Sequence, residues 1–124
     1  MAAVLPMRPH AWELGAVEFR ATPSARFFNP MGSVHGGWAM TMLDTAMGVA
    51  AHTTLKPGQT YASLDTSVRF VRPIMGKTGE LRILGSVQSR GRRVITVNGR
   101  IENESGKLFA LGTSACQITD PRSR

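Results

Sequence analysis

Cysteine is nearly absent from this chain. Cys116 is the single one in 124 residues, so no intrachain disulfide can form and a reducing, cytoplasmic setting is expected. Long apolar runs are missing too: no stretch of about 18 apolar residues exists, which excludes a transmembrane helix. The opening "MAAVLPMRPHAWELG" has no charged segment followed by an apolar one, and Pro6, Arg8 and Pro9 interrupt it, so a secretory signal is not expected. Aromatics are only 6%, and none alternate with basic residues, against a stacking platform for single-stranded nucleic acid. His10 and His52 have no acid or cysteine at ligand spacing, so neither a metal nor another cofactor is expected. Acids are scarce: 8, against 15 basic residues, for a formal net charge of +7. That excess suits nucleic acid, an anionic membrane or a phosphorylated ligand, and charge alone does not choose.

What is present fits one domain over residues 1–124 with a single core. A chain this short buries a modest share of its surface, so self-association would help it. Residues 1–15 read as a lead-in and the final "PRSR" as a frayed tail. "GAVEFRAT" (15–22) sets Val17, Phe19 and Ala21 against Glu18 and Arg20, the alternation of a half-buried strand. "ARFFNP" is a candidate short second strand, closed by Asn29, Pro30 and Gly32. Residues 37–52 hold no proline and many helix formers, which predicts a helix ended by "KPGQ". Most of its circumference is apolar, which predicts burial all round, with Thr41, Asp44, Thr45 and Gly48 on one stripe.

The remainder reads as β. "YASLDTSVRFV" (61–71) alternates, with Leu64, Thr66, Val68 and Phe70 on one face. "GELRILGSVQSRG" and "RRVITVNGRIEN" form a hairpin around Gly91, the second with Val94, Thr96 and Asn98 opposite Ile95, Val97 and Gly99. "SGK" (105–107) is a turn before the last strand, "LFALGTSACQIT". The order predicts an α+β domain in which an antiparallel sheet of five to six strands wraps one long helix, the last four strands forming a meander.

An acid at residue 44, inside so apolar a segment, needs a reason, because burying a carboxylate is costly. Gly36 and Gly37 open the helix, where the first N–H groups lack intrahelical partners and the dipole favours negative charge. Glycine lets a ligand atom approach that backbone, so such a tip can hold the oxyanion of an attacked carbonyl. Asp44 lies eight residues beyond Gly36, about 12 Å along a helix axis. It cannot serve the carbonyl held by its own helix tip. It can serve one held by a second subunit, if two helices lie antiparallel across a twofold.

"NPMGSVHGG", then an acid nine residues after His35, then the run of strands, resembles the hot-dog-fold acyl-CoA thioesterases. The resemblance spans roughly 15–119 and is nearest the branch around phenylacetyl-CoA and 4-hydroxybenzoyl-CoA thioesterases. It implies hydrolysis of a medium-chain or aromatic acyl-CoA, without cofactor or metal, in a homodimer with shared sites, assembled as a dimer-of-dimers tetramer. It implies Gly36 N–H on the thioester oxygen, Asp44 as general base or nucleophile, Asn29 orienting water or carbonyl, His35 shaping the loop, and Ser63 near the water. Relatives with glutamate at the acid position have threonine one turn later; here Gly48 stands there and leaves space. Gly37, Trp38, Met42, Met47 and Phe28 are candidates for the acyl pocket, methionine adapting to irregular shapes. Arg90, Arg92 and Arg93, with Arg69, Arg72 and Lys77, are candidates for the phosphates of coenzyme A.

Plainer readings stand beside these. "HGG" alone is a tight turn opening a helix. A buried aspartate is more often hydrogen-bonded structure than catalyst, Cys116 in an alternating strand is a core residue, and arginine clusters are often solvated charge. A hot-dog hydratase is disfavoured by the spacing of His35 and Asp44. A non-catalytic acyl-CoA sensor is disfavoured by the full set Asn29, His35, Gly36 and Asp44. No partnership with nucleic acid or membrane is expected.

Overall fold

The structure is a computed structural model that describes residues 7–120; the start of the expected lead-in and the "PRSR" tail lie outside them. Its elements are β1 (Arg8–Glu13), β2 (Ala16–Ala21), α1 (Gly36–His52), β3 (Thr60–Phe70), β4 (Leu81–Arg90), β5 (Val94–Asn103) and β6 (Leu108–Thr119). The six strands form one antiparallel sheet in the order β1-β2-β4-β5-β6-β3, wrapped around α1: the hot-dog fold.

Three sequence expectations are corrected. Residues 8–13 are a strand, not a lead-in. Every residue of β1 is exposed and among the described residues it pairs only with β2, so no burial pattern announces it, and Pro9 is tolerated on an edge. Residues 25–30 are not a strand: Ala25–Phe27 is a single 3-10 turn, and Phe28 makes one bridge to Val34. Pro30 has no N–H to give a ladder, and the chain turns back at Gly32, whose φ is +85°. The last four strands are not a simple meander, because β3 crosses to the far edge and pairs with β6. The segment 71–80 that follows it carries Pro73 and a 3-10 turn, Gly76–Thr78, and is too long for a hairpin.

The helix and sheet meet over glycine. Gly85, Gly99 and Gly112 are mutual cross-strand partners on β4, β5 and β6. A Cβ on Gly85 would stand 2.3 Å from the Ala46 carbonyl oxygen, and one on Gly99 would stand 2.9 Å from Leu43. Three missing side chains thus form a trough in which the middle of α1 rests on the sheet backbone. Leu43, Ala46 and Met47 fill it and are fully buried. Ile95, Val97 and Ile101 complete the core, with Val94, Thr96 and Asn98 facing out as the alternation predicts.

Candidate active site

The sheet does not cover all of α1. Gly36, Gly37, Met40 and Asp44 are exposed, at the three- and four-residue steps that keep them on one side of the helix. The expected all-round burial is therefore corrected: within one chain, the stripe carrying the acid is open.

The tip of that stripe is held by the loop before it. Asn29 Oδ1 accepts the amides of Met31 (3.0 Å) and Ser33 (3.1 Å), and Asn29 Nδ2 donates to Ser33 Oγ (2.7 Å). Val34 N donates to Ile74 O, and His35 N to Phe27 O, both at 2.8 Å. His35 is the N-cap in extended conformation, and its side chain makes no capping bond. The Gly36 and Gly37 amides have no acceptor among the described residues, so two oriented donors face open space. A Cβ on Gly37 would meet nothing within 4 Å, whereas one on Gly36 would stand 3.0 Å from the Phe70 ring. A cavity of about 320 Å³ begins here, walled by Gly36, Ala39, Phe70, Ile74 and Phe109, with Arg72 at its edge.

Further along, β3 supplies the wall beside the acid. A β-bulge between Ser63 and Asp65 shifts the register. Leu64 therefore leaves the face expected for it and is 56% exposed, while Ser63, opposite Cys116, and Thr66, opposite Ser114, share the helix side. Thr66 Oγ1 donates to Asp44 Oδ1 over a long 3.4 Å and lies 3.2 Å from Ser114 Oγ. Ser114 Oγ donates to the Asp65 carbonyl at 2.9 Å. With that hydrogen committed, the single Thr66 hydroxyl hydrogen is divided between Ser114 Oγ and Asp44 Oδ1. Thr66 is a neighbour the sequence reading missed, visible there only as a small polar residue in an apolar alternation.

Tyr61 was missed as well. Its hydroxyl occupies the space expected to stay free beside Gly48: a Cβ there would stand 2.5 Å from Tyr61 Oη. Gly48 therefore makes room for this phenol, which corrects its reading as open pocket. Burial pushes the Tyr61 hydroxyl above its ordinary pKa, and the charges of Cys116 and Asp44 add to that. Its ring meets His52 edge-on at 6.1 Å.

Trp38, Met42 and Met47 are buried in the core, 3%, 1% and 0% exposed, and Met47 lies against Gly99 and Gly112 in the trough. Phe28 packs over Gly76. The basic residues divide. Arg72 lines the cavity beside Gly36. Arg90 is tied at the other end of the helix, its guanidinium donating to the Thr54 carbonyl, Gln59 Oε1 and the Gly91 carbonyl. Arg92 and Arg93 share that hairpin, and Arg69 lines a separate cavity with Leu111 and Thr113. Cys116 is fully buried core, as the alternation predicts. Among the described residues no three His, Cys, Asp or Glu side chains gather as metal ligands, and no helix is long and apolar enough to cross a membrane.

The thioesterase superfamily model matches residues 31–110, from the loop before α1 to β6. A phenylacetic acid degradation-related protein from Ralstonia eutropha is 31% identical, with a TM-score of 0.85 over 94% of this chain and 87% of that one. The PaaI protein from the phenylacetic acid degradation operon of E. coli is 23% identical, with a TM-score of 0.86 over 95% and 83%. A Streptococcus mutans protein solved with acetyl-CoA bound is 23% identical, with a TM-score of 0.83 over 92% and 89%. No curated protein matches by sequence. With the family model matched over residues 31–110 and the same fold in a relative 31% identical, the chain belongs to the thioesterase superfamily and is a thioester hydrolase.

Proposed function

We propose that this protein hydrolyses a medium-chain or aromatic acyl-CoA to the free acid and CoA, at sites shared between two subunits of a homodimer, the dimers pairing into a tetramer. The observation that carries this reading is one open stripe with two incomplete halves. Gly36 and Gly37 present unpaired amides at its tip, and Asp44 is exposed about 12 Å along the axis. One carbonyl cannot touch both in one chain. An antiparallel second helix would bring its Asp44 to this chain's amides, and twofold symmetry would make two such sites.

In that frame the Gly36 amide takes the thioester oxygen as it gains charge. Asp44 of the partner subunit either draws a proton from the attacking water or adds to the carbonyl itself and is released by water. In both routes the carbon–sulfur bond breaks, water supplies the new carboxyl oxygen, and the thiolate leaves to take up a proton. Thr66, with Ser63 on the same face, flanks Asp44. Asn29 acts through the loop it staples, which sets His35 and the first amide. The acyl group would lie along the uncovered side of the helix, against Met40, and Arg72 would stand on the coenzyme's side.

The test is thiol release from a panel of acyl-CoA thioesters, comparing the protein with Asp44→Asn. Loss of at least about a hundredfold in kcat, with folding and CoA binding kept, supports the reading. A wild-type protein that binds acyl-CoA and turns over none of the panel contradicts it and favours an acyl-CoA sensor.

A further inference from the structure

A second cavity, of about 450 Å³, adjoins the first across Arg72, Pro73 and Phe109. It is also lined by Lys77, Thr78, Asn103 and Lys107, and by no carboxylate. We propose that this cavity receives the phosphates at the nucleotide end of coenzyme A, so that each chain holds that end beside its own Gly36. The proposal rests on the acyl-CoA reading above and assigns the coenzyme's place within it.

Every polar group there has a donor left to give. The Lys77 and Lys107 ammonium groups have no acceptor among the described residues. Arg72 spends Nε on the Leu108 carbonyl at 2.7 Å, which anchors it and leaves both terminal nitrogens. Asn103 Oδ1 already accepts the amides of Ser105 (3.1 Å) and Lys107 (2.9 Å) and the Ser105 hydroxyl (3.0 Å), so only its amide hydrogens remain. Thr78 Oγ1 accepts the Met75 amide at 3.0 Å and keeps its own hydrogen.

The acids of this region are engaged elsewhere. Glu80 pairs with Arg8 and Arg20, Glu102 with Arg82 and Arg100, and Glu104 with Arg20. Three cations thus converge without a counterion among the described residues, and a donor-rich concavity without a carboxylate favours an acceptor-rich anion such as a phosphate. Its apolar neighbour leads to the Gly36 amides, so a thioester carbonyl and a phosphate can be held along one continuous path. The rival cluster at Arg90 has no such path within the chain: it sits beside Thr54, beyond the opposite end of α1, and its first arginine is already bonded.

The test uses the full chain with Lys77→Ala/Lys107→Ala and, separately, Arg92→Ala/Arg93→Ala. Titration calorimetry with CoA and with 3′,5′-ADP reads binding. The ratio of kcat/KM for acyl-CoA over the matching acyl-pantetheine reads use of the nucleotide end. The lysine pair is expected to weaken CoA and 3′,5′-ADP binding at least about tenfold and to cut that ratio as much, through KM. Lysine-dependent CoA binding without turnover of either thioester would sink the hydrolase reading and leave this site standing. Hydrolysis with no preference for acyl-CoA over acyl-pantetheine would do the reverse. Loss of the preference with the arginine pair and not the lysine pair overturns the assignment. So does lysine-dependent hydrolysis confined to a thioester on an acidic carrier protein.

Discussion

A methyl group on Gly48 would stand 2.5 Å from the hydroxyl oxygen of Tyr61, so the helix admits the phenol only because it has no side chain there. Gly48→Ala should cost stability through overpacking, about 1–3 kcal/mol, offset by up to about 1 kcal/mol from alanine in a helix interior. In a Tyr61→Phe background the oxygen is gone and the nearest ring carbon is 3.4 Å away. There the same substitution should be neutral or stabilising. Urea unfolding of the four proteins checks this. An equal cost in both backgrounds would mean that the two groups do not compete for one space.

Asn29 separates a loop staple from a substrate donor. Its oxygen holds two backbone amides and its nitrogen holds Ser33. Asn29→Asp keeps the acceptor, and the Ser33 hydroxyl can turn to donate. It should retain most activity and stability, while Asn29→Ala should lose about 1–2 kcal/mol and activity with it. Steady-state kinetics and melts of the pair decide. If Asp fails as badly as Ala, the amide itself touches substrate.

Gly37 has open space where a side chain would grow. Gly37→Ala should change unfolding stability by no more than about 0.5 kcal/mol. Activity should nonetheless fall at least about tenfold, because substrate or a second subunit needs that volume. Unchanged activity would show the volume to be unused.

On the outer face of the sheet, Arg82 beside Glu18 holds that carboxyl below its ordinary value of 4.5; burial opposes this and Arg20 adds to it. A depressed folded pKa gives stability that is present above about 4.5 and lost as pH falls through the folded value. Glu18→Gln should therefore be less stable than the natural chain at neutral pH. The gap should close as pH drops below 4.5. Denaturant melts from pH 7 to pH 3 read this directly, and a gap independent of pH would contradict it.

Much of the fold was legible, for a physical reason. Strands β4, β5 and β6 have one buried and one solvated face, so Ile95, Val97 and Ile101 alternate visibly with their polar neighbours. β1 buries nothing and left no such trace. The place of β3 at the far edge depends on the long 71–80 crossover and on pairing with β6, neither of which has a local signature. At the site, "HGG" announced the helix tip and the spacing set Asp44 about 12 Å along it, but the apolar composition of the helix hid that the stripe carrying the acid is open. Trp38 and Met47 are buried in the core, a side that helix periodicity alone does not pick out among so many apolar positions. Tyr61 and Thr66 reach the helix from β3, and Lys107 reaches the second cavity from the loop between β5 and β6, juxtapositions only the folded chain creates.

The central claim is that the amide at position 36 and the acid at position 44 serve one thioester from two chains. Gly36→Pro removes that amide where the helix tolerates proline, and His35, at φ −56° and ψ 138°, already has the conformation that proline requires before it. Gly36→Pro and Asp44→Asn should each be nearly inactive alone. After mixing and subunit exchange, half of the dimers are mixed and each carries one intact site, so about a quarter of natural activity should return. No recovery beyond the sum of the two variants, with exchange demonstrated by mass, would contradict the shared site.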